Sequence, residues 1–444
     1  MKRWILIIFI MLALFLTGCT GKKAVPHEYS AGFAAVEIVP PETDAPLYIA
    51  GYRNGREIEG VLDYQRASAL WLEDGETSIL LISIDCVALA SDTVEEIRSR
   101  LDPFCRETGC DSVNVIATHT HAGIDTLGLW GPVAMEGKNS EFMKCLISAA
   151  VESAKAAYED RSHAVLSYAS MPTKGFQEDS RDPQVWDSNL YQIHIDRDSA
   201  GKRGIRVISY AAHAESLRGD NLLLSRDFPG VMSDLIAEVG EEMLFLPGAI
   251  GGLIMTPELF EGDAVVNRDL TGEQLVNCYI YTADERPIDQ SIKTVRVEFE
   301  LPMENTLFIY YKFLGILQND VKRGLFGGYS IRSELTLIQL GDLTLALLPC
   351  EIFPELVFGT GNDTDPAPLE EIAEAYGIEN LVIVGLANDE LGYVIPPSDF
   401  VLDENLPYIA EAEGDHYEET NSTSPRAAEA IAEAFERALK KLTK

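Results

Sequence analysis

A strand–helix–strand unit that runs out onto two histidines constrains this chain more than any other stretch of it. Residues 78–85 (SILLISID) read as a buried strand, 91–101 as a helix and 113–118 as the next strand. That order implies two parallel strands joined by a crossover helix. Similar segments follow: helix 140–158, strand 204–211, helix 228–239 and a short strand 243–245. Residues 294–301 alternate as a strand, and 381–386 form another. Residues 335–348 read as two strands joined at Gly341-Asp342, a hairpin signal. A last helix is expected with Ser424 as its N-cap and Pro425 in its first position, running to Lys441. There is no internal repeat and no linker to cut at. The expected fold is a single large α/β domain, its mixed β-sheets flanked by helices and its site at strand ends.

The first residues predict an address. Met1-Lys2-Arg3 is a short positive start, residues 4–15 are an almost unbroken apolar run, and Leu16-Thr17-Gly18-Cys19 follows. The run is short for a membrane span and fits a secretory signal. The cysteine at the cleavage point reads as a bacterial lipobox. We therefore expect a signal peptide over 1–18, a lipidated tether over 19–28 with Cys19 acylated, and a globular domain over 29–444. The expected location is extracytoplasmic, anchored to a membrane by that lipid. The formal net charge of −36 sets this domain against nucleic acid and anionic headgroups and suits a neutral or zwitterionic substrate. Of the cysteines, Cys105 and Cys110 are close enough for a small disulfide loop, which export permits. Cys86, Cys145, Cys278 and Cys350 sit in apolar contexts and read as buried. The chain has no CxxC pair, which argues against a thiolate metal site.

The histidines carry the chemical signal. Only seven occur, and three end predicted strands. His119 and His121 close the run Val115-Ile-Ala-Thr-His-Thr-His121. In an extended chain, residues two apart share a face, so both imidazoles can address one cleft. His213 ends the strand 207–213. Ligands gather at strand ends in α/β sheets, and three imidazoles there suit a borderline metal, zinc first. An isolated HxH pair is weak ground. The Asp and His that follow the pair in metallo-β-lactamases are replaced by Ala122-Gly123-Ile124, and no even βα period supports a metal-dependent barrel.

Longer strings narrow the field. Residues 117–131 (ATHTHAGIDTLGLWG) resemble the THTHSGP segment of the neutral (alkaline, non-lysosomal) ceramidase family. His213-Ala-Glu-Ser, with Ser225 to Gly230 (SRDFPG), is similar to its second histidine block and SxDxxG. Residues 348–355 (LPCEIFPE) resemble its PGE block. Asn388 to Tyr393 and His416-Tyr417-Glu418 resemble its NxxxxY and YE blocks. Residues 31–41 (AGFAAVEIVPP) resemble its opening AGxAxxDITPP. The matches keep the family's order over about residues 30 to 430.

This resemblance implies a zinc-dependent amidohydrolase acting on ceramide or a related N-acyl lipid. It places the metal on His119, His213, Glu351 and Tyr393, with His121 beside it. It also makes Arg181, in Ser180-Arg-Asp-Pro183, a residue lining the active site, and Tyr417 a substrate-pocket tyrosine. Two departures stand out. Where the family has GxxGDxSP, this chain has Gly248-Ala-Ile-Gly-Gly-Leu-Ile-Met-Thr-Pro257. Gly252 replaces the aspartate, and Thr256 is the only hydroxyl before proline that could stand in for the serine. The family's longer members also add a C-terminal immunoglobulin-like domain, which is not expected here. The alternatives are a non-catalytic or weakly active ligand-binding lipoprotein and a metal-dependent esterase.

Overall fold

The computed structural model describes residues 28–133, 135–197, 199, 201–324 and 327–444. The expected signal peptide, Cys19 and almost all of the tether lie outside these residues. Among the described residues, no helix is long and apolar enough to cross a membrane.

The first sheet is built from β1 (Tyr29–Glu37), β2 (Arg66–Glu73), β3 (Ser78–Ile84), β4 (Ser112–Ala117), β5 (Ser162–Pro172), β6 (Asn189–Arg197), β7 (Gly204–Tyr210) and β8 (Glu241–Pro247). Their order is β8-β7-β6-β5-β1-β2-β3-β4. Helix α1 (Ser91–Thr108) carries the chain from β3 to its parallel neighbour β4. After α2 (Ser140–Glu159), helix α3 (Asp227–Glu238) does the same between β7 and β8. The strands between these end units are antiparallel. The sheet curls until its two ends meet, and Ser83 Oγ on β3 donates to the Phe245 carbonyl on β8 at 2.7 Å.

After α4 (Ala264–Cys278), a second sheet takes the order β9 (Ile292–Met303), β10 (Tyr329–Leu340), β11 (Leu343–Leu347), β13 (Asn380–Val384). The β10–β11 hairpin turns at Gly341, whose φ of +57° suits glycine. Helix α5 (Thr306–Phe313) follows β9, and α6 (Ala427–Leu442) closes the chain. Two-residue strands β12 (Glu351–Ile352) and β14 (Tyr393–Val394) pair in parallel.

Period-two alternation sorts the strands into layers. On β2, Trp71 packs with Val94, Ile97 and Phe142 of α1 and α2, whereas Leu70 and Leu72 pack with Ile338 and Val382 of the second sheet. The far face of that second sheet packs on α6 through Val297, Leu335, Ile431 and Phe435. The result is helices, sheet, sheet, helix, as a mixed α/β fold. Burying a side chain such as Phe435 contributes roughly 1.5–3 kcal/mol.

Three local expectations need correction. Helix α1 does not stop at Leu101 but continues through Pro103 to Thr108, because Phe104 packs edge-on against Trp71 and Tyr158. Helix α6 begins at Ala427, and the Ser424 hydroxyl accepts from Arg426 N in the turn before it. Of the four cysteines expected to be buried, only Cys86 and Cys350 are; Cys145 is half-buried and Cys278 is exposed at the end of α4. Cys105 and Cys110 are present as thiols.

Candidate metal centre

The segments that leave five strands hydrogen-bond to one another, and the site sits among them. Ala117 N donates to Leu386 O, Gly385 N to Pro247 O, Gly251 N to Ile352 O, and His121 N to Ala214 O. Each bond satisfies a buried backbone group that has left its ladder. The connected turns are those after β4, β7, β8, β11 and β13.

His119 does not continue strand β4. Its φ is +65°, an uncommon region for a residue with a Cβ. The reason given for the pair's shared direction, an extended backbone, therefore fails, yet the rings still meet. His119 Nδ1 lies 2.7 Å from Val87 O, and His121 Nε2 lies 3.1 Å from His119 Nε2. The left-handed turn re-aims His119 across its neighbour. Gly51 makes room for the His121 ring: a Cβ at Gly51 would come within 2.5 Å of it.

His213 is fully buried and anchored the same way, Nδ1 to Ile254 O at 2.8 Å. A carbonyl only accepts, so Nδ1 of both His119 and His213 carries the proton and Nε2 presents its lone pair. Both Nε2 atoms face one carboxylate oxygen. Glu351 Oε2 is 3.3 Å from His119 Nε2 and 3.0 Å from His213 Nε2. Burial opposes charge on the Glu351 carboxyl; a proton on Nε2 of either imidazole would outweigh it and hold the carboxyl far below its ordinary range. Across β12–β14, Tyr393 sits in register with Glu351. Burial and the adjacent carboxylate push its phenol well up. Burial, then His119 and His213, push the His121 imidazolium well down.

These residues fit a divalent ion. Lone pairs from two imidazoles and a carboxylate converge with no donor among them, which is repulsive unless a cation or proton lies between. Ligand atoms in tetrahedral zinc sites, with bonds of about 2.0–2.1 Å, lie roughly 3.3 Å apart, close to the spacings here. One ring nitrogen from each of His119, His121 and His213 lies within 4.8 Å of the other two.

The other predicted residues lie at different distances from this centre. Tyr417 is on the wall of the adjoining cavity, 6.5 Å ring to ring from Tyr393. Arg181 is not among the lining residues. Its guanidinium is buried and bonded to Asp399, Glu418, Glu419 and His416 over the face of Phe353. The Thr256 hydroxyl is fully buried and bonded to Ser216 Oγ at 2.9 Å. Gly252 has φ +77°, and a Cβ there would point toward Asp179 Oδ1 at 3.6 Å.

Two residues were missed. Tyr52 Oη donates to Glu215 Oε2 at 2.6 Å, and Glu215 lies 3.3 Å from His121 Nδ1. Both line the cavity, and Glu215 Oε1 is buried without a hydrogen bond. Glu215 stands two residues after His213, a spacing that could have flagged it; nothing in the sequence marks Tyr52. The cavity itself has a volume of about 750 Å³. One side shows the metal-centre residues, and much of the rest is apolar, including Leu127, Trp130, Met303 and Phe308.

No known family model matches this chain, and no curated protein does. Solved structures share its fold, two ceramidases among them. One is the neutral ceramidase from Pseudomonas aeruginosa, with a TM-score of 0.73 at 16% identity over 94% of this chain and 74% of that one. Another is a ceramidase complexed with C2, with a TM-score of 0.72 at 15% identity over 93% and 75% of the two chains. The fold is that of the neutral ceramidases, as the ordered motifs led us to expect.

Proposed function

We propose that this chain is a zinc-dependent hydrolase that cleaves an N-acyl amide, with ceramide or a related N-acyl lipid as substrate. The convergence of His119, His213, Glu351 and Tyr393 beside an apolar cavity carries the reading. The ceramidase fold supports hydrolysis, and the cavity suits an amphiphile whose polar amide reaches the centre while its chains stay in apolar surroundings. Bound by these four residues, zinc would supply Lewis acidity toward the carbonyl and acidify a water. His121, held between Glu215 and His119, is placed to pass a proton to the leaving amine. Tyr417 is placed to orient the substrate at the mouth. Arg181 acts through others: it fixes the segment that carries Tyr417. The Cys19 lipid would keep the enzyme outside the cytoplasm and on a membrane.

The test is turnover of a fluorescent N-acyl sphingosine by the purified protein with zinc, beside His119→Ala. Hydrolysis lost in the variant supports the reading; equal turnover by both overturns it.

A second reading rests on Gly252 and Thr256. The family's aspartate is absent and the one candidate hydroxyl is tied to Ser216, so the fold could bind an N-acyl ligand without cleaving it. Zinc content and ligand binding with no turnover on any N-acyl amide would favour this reading.

A further inference from the structure

We infer that the rim of the cavity is a docking surface for a zwitterionic lipid interface. The first observation is α5, TLFIYYKF. Despite its apolar sequence, none of its residues is buried. Tyr310, Phe313 and Leu314 stand exposed, Phe313 by 70%. The second is the loop after Leu129, where Val133 is 85% exposed and Met135 63%. The two segments adjoin: a Cβ on Gly128 would lie 3.4 Å from an Ile316 methyl, just beyond α5.

Each segment also runs from the exterior into the cavity wall. Phe308 and Leu317 line the cavity from the α5 side, and Leu129 and Trp130 from the loop side. Each segment therefore carries apolar side chains both on the outside and at the cavity wall, and Lys312 of α5 is tied back to the Asn319 carbonyl at 2.8 Å. Scattered exposed apolar residues mean little, but a joined set at the edge of an apolar cavity marks a contact. A protein bound there would cap the mouth, whereas a lipid interface would feed it. Aromatic side chains such as Tyr310 suit the headgroup level of a bilayer. A net charge of −36 disfavours anionic headgroups and selects a zwitterionic surface. The β1 strand starts at the sheet end opposite the His119 turn, since Ser30 aligns with Glu73 and Ser78 across the ladder. Tyr29 thus enters the fold at the end of the sheet away from the His119 turn. The choice of occupant rests on the lipid-substrate reading above.

The experiment is co-sedimentation of the full chain carrying Cys19→Ala with phosphatidylcholine vesicles, without any turnover assay. Phe313→Asp and Val133→Asp are compared with it, and thermal melts confirm that both fold. We expect binding to phosphatidylcholine, weaker binding when phosphatidylserine is added, and about a tenfold loss for each substitution. No vesicle binding, or binding that both substitutions leave unchanged, overturns the inference. So does concentration-dependent dimerisation that both substitutions abolish, because the face would then belong to a second copy. Vesicle binding is read apart from hydrolysis, so an inactive protein that still docks sinks the enzyme reading and not this one.

Discussion

Glu351 and Tyr393 face each other across a two-residue parallel pairing, so one short backbone register sets a phenol beside the carboxylate that the two imidazoles share. The pairing is held by the main chain, Glu351 N to Gly392 O and Phe353 N to Val394 O, and not by the phenol. Tyr393→Phe should therefore keep the fold and weaken metal binding by about 10- to 100-fold. Competition with a chelator, alongside a thermal melt, checks this.

Arg181 holds three carboxylates from two segments, Asp399 on one and Glu418 and Glu419 on the other. Removing it leaves buried charge uncompensated. Arg181→Ala should cost about 3–5 kcal/mol in denaturant unfolding. A variant as stable as the parent would show that the cluster contributes little.

The same cluster predicts a pH dependence. Burial raises the Glu418 carboxyl from 4.5 to about 7, although Arg181 opposes it. The folded state then holds this proton more tightly than the unfolded chain. The contribution is present below 4.5 and is lost as pH rises through about 7. Glu418→Gln keeps the neutral form, so its stability should lose about 2–3 kcal/mol less than the parent's between acid and mildly alkaline pH. Parallel slopes in urea titrations would contradict this.

Cys105 and Cys110 occupy the two positions that a Schellman helix end brings together. Gly109 is left-handed at φ +79°, and Cys110 N donates to Cys105 O. A disulfide oxidant should take two electrons and two protons from the pair and close a disulfide. The expected product resists alkylation, is lighter by two hydrogens and is more stable by roughly 2 kcal/mol. Two alkylated thiols after oxidation would rule it out.

What could be read in advance follows from how local each feature is. The order of the β3–α1–β4 unit and the turn at Gly341 are written in adjacent residues and matched, whereas the last turns of α1 depend on Phe104 packing against Trp71 and Tyr158. The curl that returns β8 to β3 depends on contacts such as Ser83 with Phe245, far apart in sequence, and no local pattern marks it. His119 and His121 were picked out by type and position, but the left-handed backbone that aims His119 is a tertiary result. Glu351 and Tyr393 were legible only through a family resemblance, since an isolated glutamate or tyrosine at a strand end carries no signal. Arg181 was legible as important, yet its partners on 399 and 416–419 were not. Tyr52 reaches Glu215 across 163 residues and left no trace in the sequence.

The central claim is that four side chains hold one divalent ion. Elemental mass spectrometry of the purified protein measures this most directly, beside a His213→Ala, Glu351→Ala double variant that melts cooperatively. We predict about one zinc per chain in the parent and almost none in the variant. A metal-free parent, or equal metal in both proteins, would contradict the account.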